Sequence, residues 1–357
     1  MTAPFTSGAA AIGRYFTVVS FVPSTVFVAY VAVLIRSGVF DDGSVDVGAA
    51  FEGLEIGDAA VLGFASLMVS LALHPLQYPL IQVFEGYWGG TRLGRLLAVQ
   101  HIIRHRERSL TFREHAVNLH DDSRPEAKPD QDGKLVAQAP YAAKRRATPA
   151  QVAAFYQSGE SWRLHGGYPH KTEAIMPTRL GNVLRKYEIV AGGRYGLDTI
   201  AVVPRLMQVA QPRDVAYVNN QRVQMELALR TSILALVAAV VTAAATWDRG
   251  PWMLVCLVPY ALAYAGYRGA VTVAHEYGVA LATLVDLNRF ALYERMHVPH
   301  PDDTEDEKQQ NEYLTDLLRL DNAFIEIRRA GLDYAEPPPP PNWPPQPTQD
   351  DSASKDE

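Results

Sequence analysis

Four long stretches of this chain are nearly free of charge, and each is long enough to cross a bilayer. No motif restricts the fold as much. Tyr15 to Ile35 holds no charged residue and is bracketed by Arg14 and Arg36. As a helix it spans about 30 Å, the thickness of a bilayer core. No small-x-small cleavage site follows Ile35, so the expectation is an uncleaved anchor, with Pro23 tolerated inside it. Ala59 to Phe84 would span roughly 39 Å, too long for one perpendicular crossing. Pro75 and Pro79 mark where it bends. Thr231 to Trp247 and Trp252 to Thr272 form the other two, joined by a tight Asp248–Pro251 turn between interfacial tryptophans. Mean hydropathy near zero hides these spans, because the polar segments between them dilute the average.

Charge is segregated along the chain. Residues 85–230 carry 22 of its 33 Lys and Arg, against 14 Asp and Glu. The loop at 37–57 holds five acids and no base. Both observations predict that the basic region and the two termini are cytoplasmic and the acidic loop faces outward. The single cysteine, Cys256, excludes an intrachain disulfide and a cysteine-based metal site.

The expected fold is an all-α membrane protein with four transmembrane helices and a helical cytoplasmic lobe. Its segments are a cytoplasmic start (1–14), a first span (15–35), an outer acidic loop (36–58) and a second span (59–84). A basic lobe (85–230) follows, with a polar, flexible insertion at 121–146. The third span (231–247), the outer turn (248–251) and the fourth span (252–272) come next. Cytoplasmic helices (273–331) and a disordered Pro-rich, acidic tail (332–357) complete it.

Within the lobe, Thr91 to Asn118 reads as a helix with an apolar side (Leu93, Leu96, Leu97, Val99, Ile102, Ile103) and a basic side. Directly after a membrane exit it would lie on anionic lipid or extend the span as a stalk. Thr148–Pro149 starts a helix that should end at Ser158–Gly159 or shortly after. A new helix begins after Pro177 with Thr178 as cap, buries Leu180, Val183, Leu184 and Tyr187, and stops at Gly192–Gly193. Thr304 and Glu307 form a capping box for a last amphipathic helix that Gly331 should stop, with Tyr313, Leu314, Leu317, Leu318, Phe324 and Ile325 on one side. Small residues four apart (Thr231–Ala235–Ala239–Ala243, Ala261–Ala265–Gly269, Gly266–Ala270–Ala274–Gly278) predict a close-packed hairpin of the third and fourth spans.

Two constellations are candidate sites. Arg179, Asn182, Arg185, Arg194 and Arg205, with Lys186 among them, could gather a phosphate, a lipid headgroup or an acidic partner. Internal salt bridging is the plainer reading. His74, Tyr260, Tyr264 and Tyr267 could line a polar path through the membrane, or simply pack and hydrogen-bond between helices. His101 and His105 stand four apart, but they alternate with arginines on a basic face and no H-E-x-x-H occurs, so no metal and no cofactor are expected. No G-x-S-x-G is present and the glycines at 86–94 lack a following G-K-[ST], so no catalytic residue is assigned.

The run PTRLGNVLR…RYGLD…PRL, together with YGVALATLVDLNRFALYERMHVPHP, resembles a group of bacterial multi-pass membrane proteins. The resemblance covers the second half and implies that these stretches fold as one unit. It carries no activity. The expected function is a non-enzymatic, self-associating module of a bacterial inner membrane that couples anion or protein binding in the cytoplasm to the bilayer. Its partners would be the lipid bilayer, anionic lipid or a cytoplasmic protein, and copies of itself, with no nucleic acid. An oligomeric channel or transporter and a membrane enzyme acting on lipid or a phosphorylated substrate are the alternatives.

Overall fold

The computed structural model describes residues 16–40, 45–53, 55–122 and 149–319. The first span is a widened turn, Phe16–Phe21, leading into α1 (Val22–Arg36); next come α2 (Ile56–Leu73), α3 (Gln77–Glu85), α4 (Arg92–Asp122) and α5 (Pro149–His165). They are followed by α6 (Arg179–Gly193), α7 (Thr199–Val209), α8 (Pro212–Ala245), α9 (Leu257–Met296) and α10 (Thr304–Leu318). No strand occurs among the described residues, and four helices are long and apolar enough to cross a membrane. The chain is therefore an all-α membrane protein of four spans with a helical lobe. The expected insertion, except for the end of α4, lies outside the described residues. So do the first fourteen residues, Thr148, Phe324, Ile325, Gly331 and the Pro-rich tail.

The long hairpin α8–α9 is the spine. Its helices run about 51 and 60 Å, so each crosses a bilayer core of ~30 Å and continues well beyond it. Close approach comes from small residues. Ala235, Ala238 and Ala239 are buried on α8, and Ala263, Ala270 and Ala274 on α9. The Ser232 hydroxyl donates to the Ala263 carbonyl at 2.7 Å, which supplies a polar tie at membrane depth. Of the two predicted ridges on α9, only the one through Gly266, Ala270, Ala274 and Gly278 packs; Ala261 and Ala265 are exposed. The ridges are one residue out of step, about 100° around the helix, so only one can face the partner.

The other spans lean on this spine. The Tyr30 hydroxyl meets Thr242 Oγ1 at 2.8 Å, joining α1 to α8. Pro23 removes a backbone donor near the widened turn, and Ser24 and Thr25 donate to the Ser20 and Phe21 carbonyls. Arg36 closes the loop between α1 and α2 by donating to the Ala50 and Glu52 carbonyls and pairing with Asp58 at 3.4 Å. The second apolar run breaks at His74–Leu76, where Pro75 interrupts the helix, and resumes as α3.

Two apolar clusters form the lobe core. One joins Leu180, Val183 and Leu184 of α6 to Met225 and Leu229 of α8 and to Ala270 and Ala274 of α9. The other lies farther from the membrane and gathers Val202, Leu206, Leu284, Val285, Leu292, Tyr293, Leu314 and Leu318. Thr178 caps α6 as expected, accepting from Gly181 N.

Two sequence expectations change. Asp303 caps α10, accepting from the Glu305 and Asp306 amides, while Glu307 is buried beneath Arg289 and Tyr293 instead of closing a capping box. A charged pair in the core outcompetes a surface cap. Also, α5 continues past Gly159 to His165, because packing on α4 (buried Ser109 beside His165) outweighs the weak helix preference of Ser-Gly.

Candidate anion site at the lobe edge

The site is built on a joint between α3 and α6. Gly86 ends α3 in the left-handed region, φ 103°, and a side chain there would collide with Pro177. The Thr178 hydroxyl donates to the Glu85 carbonyl at 2.9 Å while capping α6. A Cβ on Gly181 would overlap that same carbonyl. Only glycine lets the two backbones approach this closely. Asn182, 1% exposed, folds the entry: its Oδ1 accepts from Met176 N, and its Nδ2 donates to the Met176 and Thr178 carbonyls. Its amide is therefore spent on the turn. The result is a rigid N-terminus of α6 with Arg179 as its first residue.

Arg179 lines a cavity of about 430 Å³, walled also by Arg163, Tyr168, Lys186, Arg268, His275 and Glu276. Arg268 lies about 24 Å of helical rise from Trp252, so a bilayer core of ~30 Å that begins at Trp252 would end close to it. Among the described residues, neither Arg179 nor Arg268 has a hydrogen-bonded or ion-paired acid. Arg163 is engaged by Glu160 in a two-point ion pair. Lys186 Nζ donates to the Gly166 carbonyl at 2.6 Å, and burial holds its pKa below the usual lysine value. Glu276 is the one carboxylate among the described residues of the wall. The cavity therefore has excess positive charge, to which the dipole of α6 adds at the helix start; the Leu180 and Gly181 amides there are already bonded to Tyr267 and Thr178. Planar guanidinium forks suit a phosphate-type anion.

The back wall is held by Tyr168, whose hydroxyl is 3.0 Å from His105 Nδ1. Burial, with Arg108, His101 and Arg179 nearby, lowers the His105 pKa to about 4. The imidazole is neutral at neutral pH. His101 turns elsewhere, packing edge-on to Trp88 with ring centroids 5.3 Å apart.

Of the residues singled out from sequence, the structure brings Arg179 and Asn182 to this cavity with Lys186. Arg185 lines a separate, open cavity of about 530 Å³, pairs with Glu188 at 3.2 Å, and shares that space with Asp198, Glu312 and Asp316. Arg194 faces Asp286 at 3.9 Å, and Arg205 donates to the carbonyl of Ala201. The membrane set also diverges. His74 is exposed in the α2–α3 turn, and Tyr260 and Tyr264 are 56% and 58% exposed on α9. Tyr267 turns inward, its hydroxyl accepting from Leu180 N at 3.4 Å and its ring 5.9 Å from Phe84. Arg268 and His275 escaped the sequence reading. Their signal is the Arg268–Thr272–His275 spacing of four and three, one face of α9 turned toward α6.

Fold and cavity together define a class: a four-span, all-helical membrane protein with a basic cavity where its spine leaves the bilayer. No protein-family model matches this chain, and no curated protein and no solved structure matches it.

Proposed function

We propose that this protein is a non-enzymatic module of a bacterial inner membrane that binds a phosphate-bearing anion at the lobe edge and couples that binding to its spans. The observation that carries the reading is the pair Arg179 and Arg268, which line one cavity without an acid partner among the described residues. Arg179 is set by the α3–α6 joint and Arg268 belongs to the fourth span. An anion bridging them would bind α6 to the spine. The excess of Lys and Arg over Asp and Glu in residues 85–230 supports a cytoplasmic lobe with both termini on that side. Self-association of such modules would let one binding event bias neighbouring copies.

The test is binding by the detergent-purified protein of two probes, inorganic phosphate and short-chain phosphatidylglycerol. A charge-assisted hydrogen bond contributes about 1.5–3 kcal/mol, so losing either arginine should weaken binding at least about tenfold. Arg179→Ala and Arg268→Ala should each show this, while Arg194→Ala should bind as the parent does. Equal binding by all three variants would sink the reading. Chemical cross-linking in native membranes tests self-association separately.

A further inference from the structure

The first half of α4 carries an exposed apolar stripe. Leu93, Leu96, Leu97, Val99 and Ile103 are 42–67% exposed. The steps Leu93–Leu96–Val99–Ile103 are three, three and four residues, one side of a helix. The opposite side is occupied: His105 and Ser109 are buried against Tyr168 and His165. Arg92, Arg95, Arg104 and Arg106 accompany the stripe, and no acid falls between Arg92 and Arg106. Beyond that point Leu110 and Val117 are still exposed on this side, but Glu107 and Glu114 come round among them and the face is no longer purely basic.

Two ties fix the height of this stretch. At the membrane exit, the Trp88 indole donates to the Val83 carbonyl at 2.6 Å and packs on His101. Farther along, His105 meets Tyr168, and Arg106 Nε donates to the Thr172 carbonyl at 3.1 Å. Tyr168 lines the same cavity as Arg268. Residues 88–106 are thus strung between the exit of the second span and the lobe-side edge of the fourth. Tyr78 and Tyr87, both exposed, stand at the same exit, as interfacial aromatics do.

We infer that residues Arg92–Arg106 of α4 lie on an anionic lipid leaflet, with Leu93, Leu96, Val99 and Ile103 dipped among the acyl chains and the arginines reaching headgroup phosphates. Apolar stripe, flanking cations and height at the interface are the three features of an in-plane membrane helix. Charge argues against a second copy as occupant: two such faces would press four arginines of each copy together with no acid between Arg92 and Arg106 to offset them. This surface is separate from the cavity, and the inference does not depend on an anion binding there.

The experiment places an environment-sensitive fluorophore on Ile103→Cys in a Cys256→Ser background of the full chain. The protein is reconstituted in nanodiscs of phosphatidylcholine, with or without phosphatidylglycerol, doped with nitroxide-labelled lipid. Ile103 is exposed and Cys256→Ser is close to isosteric, so a thermal melt matching the parent should accompany them. The expected result is blue-shifted emission and at least twofold nitroxide quenching at position 103, greater with phosphatidylglycerol, and none at an Arg108→Cys control. Arg92, Arg95 and Arg104 all changed to Gln, with Arg106 kept for its tie to Thr172, should abolish the lipid dependence. Emission typical of water without quenching would overturn the inference. So would a blue shift without quenching, accompanied by disulfide-linked dimers of the unlabelled Ile103→Cys variant, which would assign the stripe to a second copy.

Discussion

The ring of Tyr187 on α6 occupies the space that any side chain at Gly278 of α9 would need. A Cβ built on Gly278 falls inside van der Waals contact with Cγ and Cδ2 of Tyr187. Rotating the ring about its own axis cannot relieve a clash at Cγ. Gly278→Ala should therefore lift α6 from the spine and destabilise the protein by about 1–3 kcal/mol, the usual effect of overpacking. Thermal unfolding in detergent measures it. Adding Tyr187→Ala should recover part of the loss in a double-mutant cycle; purely additive effects would show that the two residues do not share this space.

Glu85 ends α3 beneath the joint with α6. Burial, assisted by the negative charge of Glu188, raises its pKa from 4.5 to about 7. The folded state thus holds the proton more tightly than the unfolded chain does. Its contribution is fully present below pH ~4.5 and is lost as pH rises toward 7. Solvent screens part of this half-buried group, so the loss should be about 1–2 kcal/mol. Glu85→Gln should match the parent at pH 5 and melt higher at pH 8. A constant difference between the two melting temperatures across that range would refute the assignment.

Much of the architecture is legible in the sequence because bilayer thickness turns apolar length into a count of spans. Thr178, Gly192 and Gly193 were readable for a similar reason, since caps and stops are local chemistry. What the sequence does not show is which long-range partner a residue meets. Asn182 reads as a ligand among arginines, yet its amide closes the turn before α6. Glu307 reads as a cap, yet it pairs with Arg289 eighteen residues earlier. Arg268 lies inside an apolar run, and only the placement of α6 against α9 brings it to the cavity that Arg179 lines.

The Arg289–Glu307 pair supports the outer cluster. Arg289 Nε donates to Glu307 Oε1 at 2.7 Å, and the guanidinium lies 4.2 Å from the Tyr195 ring centroid. Tyr293 donates to the same carboxylate, and Asn311 Nδ2 donates to the Tyr293 hydroxyl at 2.6 Å. Glu307→Ala leaves a largely buried cation and the Tyr293 hydroxyl short of an acceptor. It should destabilise by about 3 kcal/mol. Arg289→Met with Glu307→Leu should cost about 1 kcal/mol or less, because no charge is left unpaired. Thermal melts that rank the double variant below the single would refute the pairing.

His105 and Tyr168 join helix α4 to the wall of the cavity, and this contact should be acid-sensitive. The His105 pKa is lowered from 6.5 to about 4, so the folded state favours the neutral ring. Its contribution is fully present above pH ~6.5 and is lost as pH falls toward 4, because the unfolded chain takes up the proton first. Backbone amides near residues 101–109 and 160–168 should lose hydrogen-exchange protection, corrected for intrinsic rates, between pH 7 and pH 5. Amides in the α8–α9 spine should not follow. His105→Phe keeps the buried ring, gives up the bond to Tyr168 and cannot titrate. It should lower protection at pH 7 by about 1 kcal/mol of opening free energy. It should also remove most of the acid dependence, since no imidazole remains to be charged. If the variant keeps the parent's acid response, another group carries it, and His165, whose pKa burial also lowers, is the next residue to replace.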